Sequence, residues 1–157
     1  MKIKLIVVGK IKSYFLSQGE AKYVKRIKHY CKFEEVTISE IKNRNKLSKN
    51  ELKIKEGEFI LKKIAPEDRV VILDNKGKIY SSIEFSSFLG DNMIHSTKRL
   101  VFVVGGAFGF SNEIYNRAND KLSLSKMTFS HQMVRLIFKE QLYRAYTIIK
   151  GESYHHK

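Results

Sequence analysis

Short apolar runs alternate along this chain with segments whose apolar residues recur at three- and four-residue spacing. Ile3 to Val8, Arg69-Val70-Val71-Ile72-Leu73 and Leu100 to Val104 are nearly unbroken. A strand buried on both faces loses the polar alternation of a half-solvated one, so such runs mark central strands of a parallel sheet covered by helices on both sides. Glu35 to Ile38 and Leu122 to Ser125 are weaker strand signals. Between the strands, Tyr23, Val24, Ile27 and Tyr30 share a helical face. Ser48-x-x-Glu51 has the form of a capping box and predicts a helix over 49–64 with inner face Leu52, Phe59, Ile60 and Ile64, closed by Pro66. Ser81-x-x-Glu84 predicts a further helix, and Ser111 opens a short one. Strand and helix in alternation predict an α/β fold with a parallel sheet, in one domain spanning 1–157.

The last helical segment, 131–150, carries Met133, Val134, Leu136, Ile137, Phe138, Leu142, Tyr143, Ala145, Tyr146, Ile148 and Ile149 around much of its circumference. That stripe is too wide for a helix packed on one side only. Either the helix crosses the middle of the domain or its outer side meets a second copy. Its place at the end of a small domain favours the second arrangement and so a homodimer.

Charge changes the picture. Thirty Lys plus Arg against sixteen Asp plus Glu give a net charge of +14. Such a surface suits a polyanion, nucleic acid above all, with affinity that falls steeply with salt, although charge alone is equally compatible with general solubility. The chain has no Trp, and its basic segments lack a lipid-facing stripe, which argues against a membrane surface. Cys31 is the only cysteine, so no intrachain disulfide forms and a reducing, cytoplasmic location is expected. The first apolar run is interrupted by Lys4 and stops at Gly9, too short for a signal peptide, and no run approaches the roughly 20 residues that span a bilayer. The five histidines have no metal-ligand spacing with Cys31, so no metal is expected.

Candidate chemistry concentrates in the last third. Leu100 to Val104 breaks into Gly105-Gly106-Ala107-Phe108-Gly109, and 122–130 follows as a second loop-forming stretch. Glycines at the carboxyl end of a buried strand let main-chain amides approach a ligand, so these two loops predict one pocket. Val104 stands where G-x-G-x-x-G needs its first glycine, and neither Gly9-Lys10 nor Gly77-Lys78 has the upstream glycine of a Walker A loop. Dinucleotide and P-loop chemistry are therefore disfavoured. Glu140 and Arg144 stand four apart, as do His131 and Arg135, a spacing that ordinary surface pairs also adopt.

Several blocks then stand in one order: Val8-Gly9-Lys10-Ile11-Lys12, Leu73-Asp74, Val103-Val104-Gly105-Gly106 with Gly109, Leu124 to Phe129 with His131-Gln132-Met133-Val134-Arg135, Glu140-Gln141-Leu142-Tyr143-Arg144-Ala145, and Tyr154-His155. Together, over essentially the whole chain, they resemble the RlmH (YbeA-like) group of SPOUT RNA methyltransferases. The resemblance implies a homodimer whose C-terminal part, about 70–157, is tied in a deep trefoil knot with S-adenosylmethionine bent among the knot loops. The cofactor would meet Leu73, Gly105, Gly106, Ser125, Lys126, Met127, Thr128, Phe129 and Ser130. The implied reaction methylates N3 of a pseudouridine in large-subunit (23S) ribosomal RNA on assembled ribosomes. His155 would handle the proton or contact the base, Tyr154 would stack on or orient it, and Arg144 or Arg135 would steady negative charge. Two positions depart from the pattern: Ser130 stands where the group usually has Pro, and His156 intervenes between His155 and Lys157. Ser130 can serve as a helix N-cap instead. Two alternatives stay open, a non-catalytic RNA-binding or ribosome-associated protein and a methyltransferase of transfer RNA.

Overall fold

The computed structural model describes Met1 to His156; Lys157, the basic residue that closes the tail, lies outside the described residues. Among them run five strands, β1 (Lys2–Val8), β2 (Lys32–Ile38), β3 (Arg69–Ile79), β4 (Arg99–Val104) and β5 (Asp120–Ser123). The helices are α1 (Tyr14–Ile27), α2 (Lys49–Leu61), α3 (Ser82–Ile94), α4 (Asn112–Arg117) and α5 (His131–Ile149), with a 3-10 turn at Arg44–Lys46. The sheet has the order β2-β1-β4-β3-β5, and all its pairings are parallel.

Alternate residues of the central strands feed two apolar layers. Ile3, Leu5, Val7, Leu100, Phe102 and Val104 pack with Ile27 of α1, Phe85 and Leu89 of α3, and Phe138 and Leu142 of α5. Ile6, Val8, Val70, Ile72, Val101 and Val103 pack with Ile60 of α2 and Ile114 of α4. Each fully buried side chain of this size contributes about 1.5–3 kcal/mol relative to exposure. Two helix starts are fixed by reciprocal capping boxes: Glu51 N–H donates to Ser48 Oγ (3.1 Å) while Ser48 N–H donates to the Glu51 carboxylate (2.8 Å), and Ser81 with Glu84 repeats the arrangement at 3.2 and 2.7 Å.

Several sequence expectations shift. α2 ends at Leu61, not Ile64, and Phe59 is 45% exposed rather than inward. The inner row is Leu52, Glu56 and Ile60, one helical turn apart, with Gly57 beside it letting the helix settle on Ser111. β3 continues beyond Leu73 to Ile79, with a register jump against β5 between Leu73 and Lys78. α1 stops at Ile27, and Tyr30 follows it on the loop, stacked on Tyr146 at 5.7 Å. β5 ends at Ser123, leaving Leu124 and Ser125 to the loop.

The wide stripe of α5 has a cause within the chain. α5 packs against both α1 and α3 and lies on the sheet, so it crosses the middle of the domain, the first of the two arrangements considered. Its polar positions are buried too. Lys139, 1% exposed, pairs with Glu20 of α1 at 2.7 Å and Glu35 of β2 at 2.6 Å. Arg135, 2% exposed, donates from Nη2 to the Val8 carbonyl. These contacts tie α5 to α1 and to the carboxyl end of β1.

Candidate active site

The carboxyl ends of β3, β4 and β5 converge on a cavity of about 550 Å³. Its floor is Leu73, Val104 and Leu122, and its walls are the loops 105–110 and 123–131. This is the crevice position at which open α/β sheets hold ligands, and the volume falls in the range of small-molecule sites.

Two glycines shape the first wall. A Cβ on Gly106 would lie 2.5 Å from a carboxylate oxygen of Glu56, and Gly109 takes φ +81°, which closes a tight turn as Gly109 N–H donates to the Gly106 carbonyl (3.2 Å). The second wall is held by its own serines: Ser123 Oγ donates to the Ser125 carbonyl (2.9 Å), and Ser125 Oγ accepts from Met127 N–H (2.9 Å). Ser130 caps α5, accepting from Met133 N–H at 3.3 Å with φ −61° and ψ 148°.

Of the nine positions singled out for cofactor contact, Leu73, Gly105, Gly106, Ser125, Met127, Thr128, Phe129 and Ser130 line this cavity, and Lys126 does not. The lining also brings in Asp74, Phe108, Phe110, Tyr115, Leu124, His131 and Val134. Asp74 could have been flagged from sequence as an acid placed directly after an apolar strand. Its carboxylate accepts from Tyr115 Oη (2.5 Å) and Lys76 N–H (2.8 Å). Burial, followed by that bond to Asp74, pushes the Tyr115 phenol up to about 12. Burial, followed by the charge of Arg135, holds His131 below the usual 6.5, so its ring is neutral at physiological pH. Among the described residues neither Lys nor Arg lines the cavity, in a chain of net charge +14. One carboxylate, apolar side chains set among Ser and Thr hydroxyls, and no Lys or Arg among the described residues fit a ligand with an apolar ring and a positive centre, and disfavour a polyphosphate.

The residues singled out for catalysis divide. Arg144, Tyr154 and His155 lie together. Arg144 donates to Glu140 from Nε (3.1 Å) and Nη2 (2.5 Å), and its Nη1 faces His155 Nδ1 at 3.5 Å. Tyr154 Oη donates to the same Glu140 oxygen (3.1 Å), lies 3.3 Å from Tyr23 Oη, and has the Arg144 guanidinium 4.7 Å from its ring centroid. Burial and then the hydrogen bond with Tyr23 push the Tyr154 phenol upward, so it stays a neutral donor. Glu140 is therefore the hub of this cluster rather than one half of a surface pair. Tyr23 reaches the cluster from 131 residues away in sequence, which no spacing rule signals. Arg135 stands apart from both groups: its guanidinium is buried on Val8 and its Nε has no partner among the described residues.

None of Arg144, Tyr154 and His155 lines the cavity. Thirteen residues separate His131 at the cavity from Arg144, about 20 Å along a helix axis at 1.5 Å per residue. A single chain holds its pocket and its polar cluster at different places on α5.

The family model described as predicted SPOUT methyltransferase matches residues 1–155. Proteins named ribosomal RNA large subunit methyltransferase H are similar over their full length: that of Parabacteroides distasonis is 52% identical and that of Christiangramia forsetii 51%, each over 157 residues covering 100% of both chains. Among solved structures, a probable methylase family protein from Haemophilus influenzae Rd KW20 aligns with a TM-score of 0.51 at 12% identity, over 95% of this chain and 66% of that one, a likeness of fold alone.

Proposed function

The chain belongs to the SPOUT methyltransferase family, and on that premise we propose that it methylates N3 of a pseudouridine in large-subunit ribosomal RNA, using S-adenosylmethionine and acting as a homodimer on assembled ribosomes. The observation that carries this reading is full-length identity of about half to several proteins named for large-subunit ribosomal RNA methylation. The cavity is consistent with the cofactor: Gly105 and Gly106 open main-chain groups to it, Leu73, Leu122 and Leu124 offer apolar contact for adenine, and Asp74 places a negative charge on a wall with no Lys or Arg among the described residues. When bound, S-adenosylmethionine supplies an electrophilic methyl group on a positively charged sulfur.

Methylation at N3 requires loss of the N3 proton and tolerance of negative charge on the base. The Arg144 guanidinium, fixed by Glu140, is the group suited to steady that charge, and the Tyr154 ring beside it suits stacking. His155, whose Nδ1 lies 3.5 Å from Arg144 Nη1, is the group proposed to take up the N3 proton or to contact the base. Arg135 acts at a distance, positioning the start of α5 against β1.

The separation of about 20 Å along α5 supports a reading in which a partner chain brings cavity and cluster together. In the proposed dimer the cluster of one chain completes the cavity of the other. The exposed Tyr14, Phe15 and Met127, near the amino end of α5, provide apolar surface for that contact. The knot is part of the same reading: residues of about 70–157 would be threaded so that the 123–131 loop passes against the 105–110 loop. No helix of the described residues is long and apolar enough to cross a membrane, and we place the activity in the cytoplasm, where ribosomes are.

The test is transfer of labelled methyl to ribosomes lacking the modification, with naked ribosomal RNA and transfer RNA in parallel, and mapping of the product. Label at N3 of one large-subunit pseudouridine, from intact ribosomes, is the expected result. Label on transfer RNA would replace the substrate, and no label with no cofactor binding would replace the enzyme by an RNA-binding protein.

A further inference from the structure

Charge is unevenly spread over the helices. α3 contains Glu84 and Asp91 and no Lys or Arg. On the opposite face, residues 42–55 contain Lys42, Arg44, Lys46, Lys49, Lys53 and Lys55 against Glu51 alone. Glu51 is already engaged, its carboxylate accepting from Ser48 N–H in the capping box. Of the six cations only Arg44 makes an ion pair among the described residues, a long one to Glu40 at 3.9 Å. Five of the six are exposed, Lys53 being half-buried.

This segment adjoins the mouth of the cavity. Lys49 Nζ lies 5.5 Å from the ring centroid of Phe108, which lines the cavity and is 43% exposed. Arg44 and Glu40 lie with Gly106, Ala107 and His131 around a small neighbouring cleft. The loop that forms one wall of the pocket is thus backed by a strongly basic stretch of the chain. An exposed aromatic ring with a lysine beside it, next to a run of exposed cations, is an arrangement that seats a nucleic-acid backbone while leaving a face for an unpaired base.

We propose that the 42–55 segment, the 3-10 turn and the first half of α2 together with Phe108, is the docking surface for the phosphate backbone of the ribosomal RNA helix that presents the target base. The inference rests on the proposed function for the identity of the RNA. It separates binding from chemistry: the cavity and the Arg144 cluster act on the base, and this segment supplies salt-sensitive affinity. Contacts of this kind carry little sequence information, which matches recognition of an assembled ribosome by shape.

The variant K42Q/K46Q/K55Q tests it against K2Q/K32Q/K98Q, which removes three exposed lysines at the opposite, amino-terminal edge of the sheet. Ribosome binding is measured across a potassium chloride series, with the KM and kcat of methyl transfer, calorimetric titration of S-adenosylmethionine, and binding to anionic phospholipid vesicles. The first variant is expected to raise the KM for ribosomes at least tenfold. Its kcat and cofactor affinity should stay unchanged, and its slope of log affinity against log salt should fall by about 2 to 3, at roughly 0.7–0.9 per phosphate contact. The second variant should stay within twofold of the parent. Equal behaviour of the two variants overturns the proposal, as does loss of vesicle binding with ribosome binding intact. If the parent binds ribosomes through this segment yet transfers no methyl group, docking stands and the catalytic reading falls; if it transfers methyl and the first variant keeps its salt slope, the reverse holds.

Discussion

His131 occupies the first position of α5 and forms part of the pocket wall, so its charge bears directly on a cationic ligand. Its surroundings include Arg135, Arg44 and Lys12 as well as Glu40, and burial adds to the net opposition to a proton. The folded-state value therefore lies below 6.5, and the ring stays neutral from pH 8 down to about that point. Below it, protonation would place a positive charge beside the sulfonium. Cofactor affinity is expected to be flat above pH 6.5 and to weaken on acidification. Because the unfolded chain takes up this proton first, folding stability should also decline below pH 6.5 and level off under the folded value. Calorimetry of parent and His131→Gln between pH 5.5 and 8 checks this; an equally steep acid limb in the variant would assign it elsewhere. Gly106 supports a second prediction at this scale. Gly106→Ala drives a methyl against Glu56, which burial holds above the ordinary carboxylate range. Overpacking of this kind costs about 1–3 kcal/mol, and it should weaken cofactor binding by deforming the wall. Adding Glu56→Ala should return most of the lost affinity, a rescue that a general folding defect would not show.

At the scale of elements, α5 is held by two devices of different kinds. The Ser130 cap is local, and Ser130→Ala should cost about 1 kcal/mol. Ser130→Pro should come out within about 0.5 kcal/mol of the parent, since φ −61° already suits proline and the smaller unfolded-state entropy offsets the lost cap. Lys139 is not local: it neutralises Glu20 of α1 and Glu35 of β2 inside the fold. Lys139→Met leaves two carboxylates poorly paired and should lower unfolding free energy by about 3–5 kcal/mol in denaturant titrations. The contrast also explains what could be read from sequence. Caps at Ser48, Ser81 and Ser130 and the apolar runs of β1, β3 and β4 are local signals, and the structure places helices and strands where they point. Phe59 misled because periodicity counts an aromatic as inward, whereas Glu56 and Gly57 take the inner positions against Gly106 and Ser111. The pocket loops were legible because glycine breaks after an apolar strand are local as well. The Tyr23–Tyr154 and Lys139–Glu20 contacts join residues more than a hundred positions apart, and nothing in either neighbourhood signals the other.

At the scale of the whole molecule, the geometry of α5 sets the question of assembly. With the cavity at its start and the Arg144 cluster about 20 Å further on, the proposed dimer draws the two from different chains. Deleting Tyr154 onward should leave cofactor affinity within a few-fold of the parent, because Tyr154, His155 and His156 do not line the cavity. Turnover should fall by at least a hundredfold. A chain with Gly105→Leu has the opposite defect: its side chain would collide with Phe110, closing the pocket while leaving the tail whole. Each variant alone should be inactive as a homodimer. When the two are mixed and allowed to exchange subunits, half the chains at equilibrium sit in mixed dimers, each with one open pocket facing one intact tail. Turnover per chain should then return to about a quarter of the parent value. A pocket completed by its own chain's tail predicts no recovery at any mixing ratio, because no chain in the mixture carries both parts. Recovery that tracks subunit exchange therefore reads the assembly directly, and it does so without requiring that the target nucleotide be known.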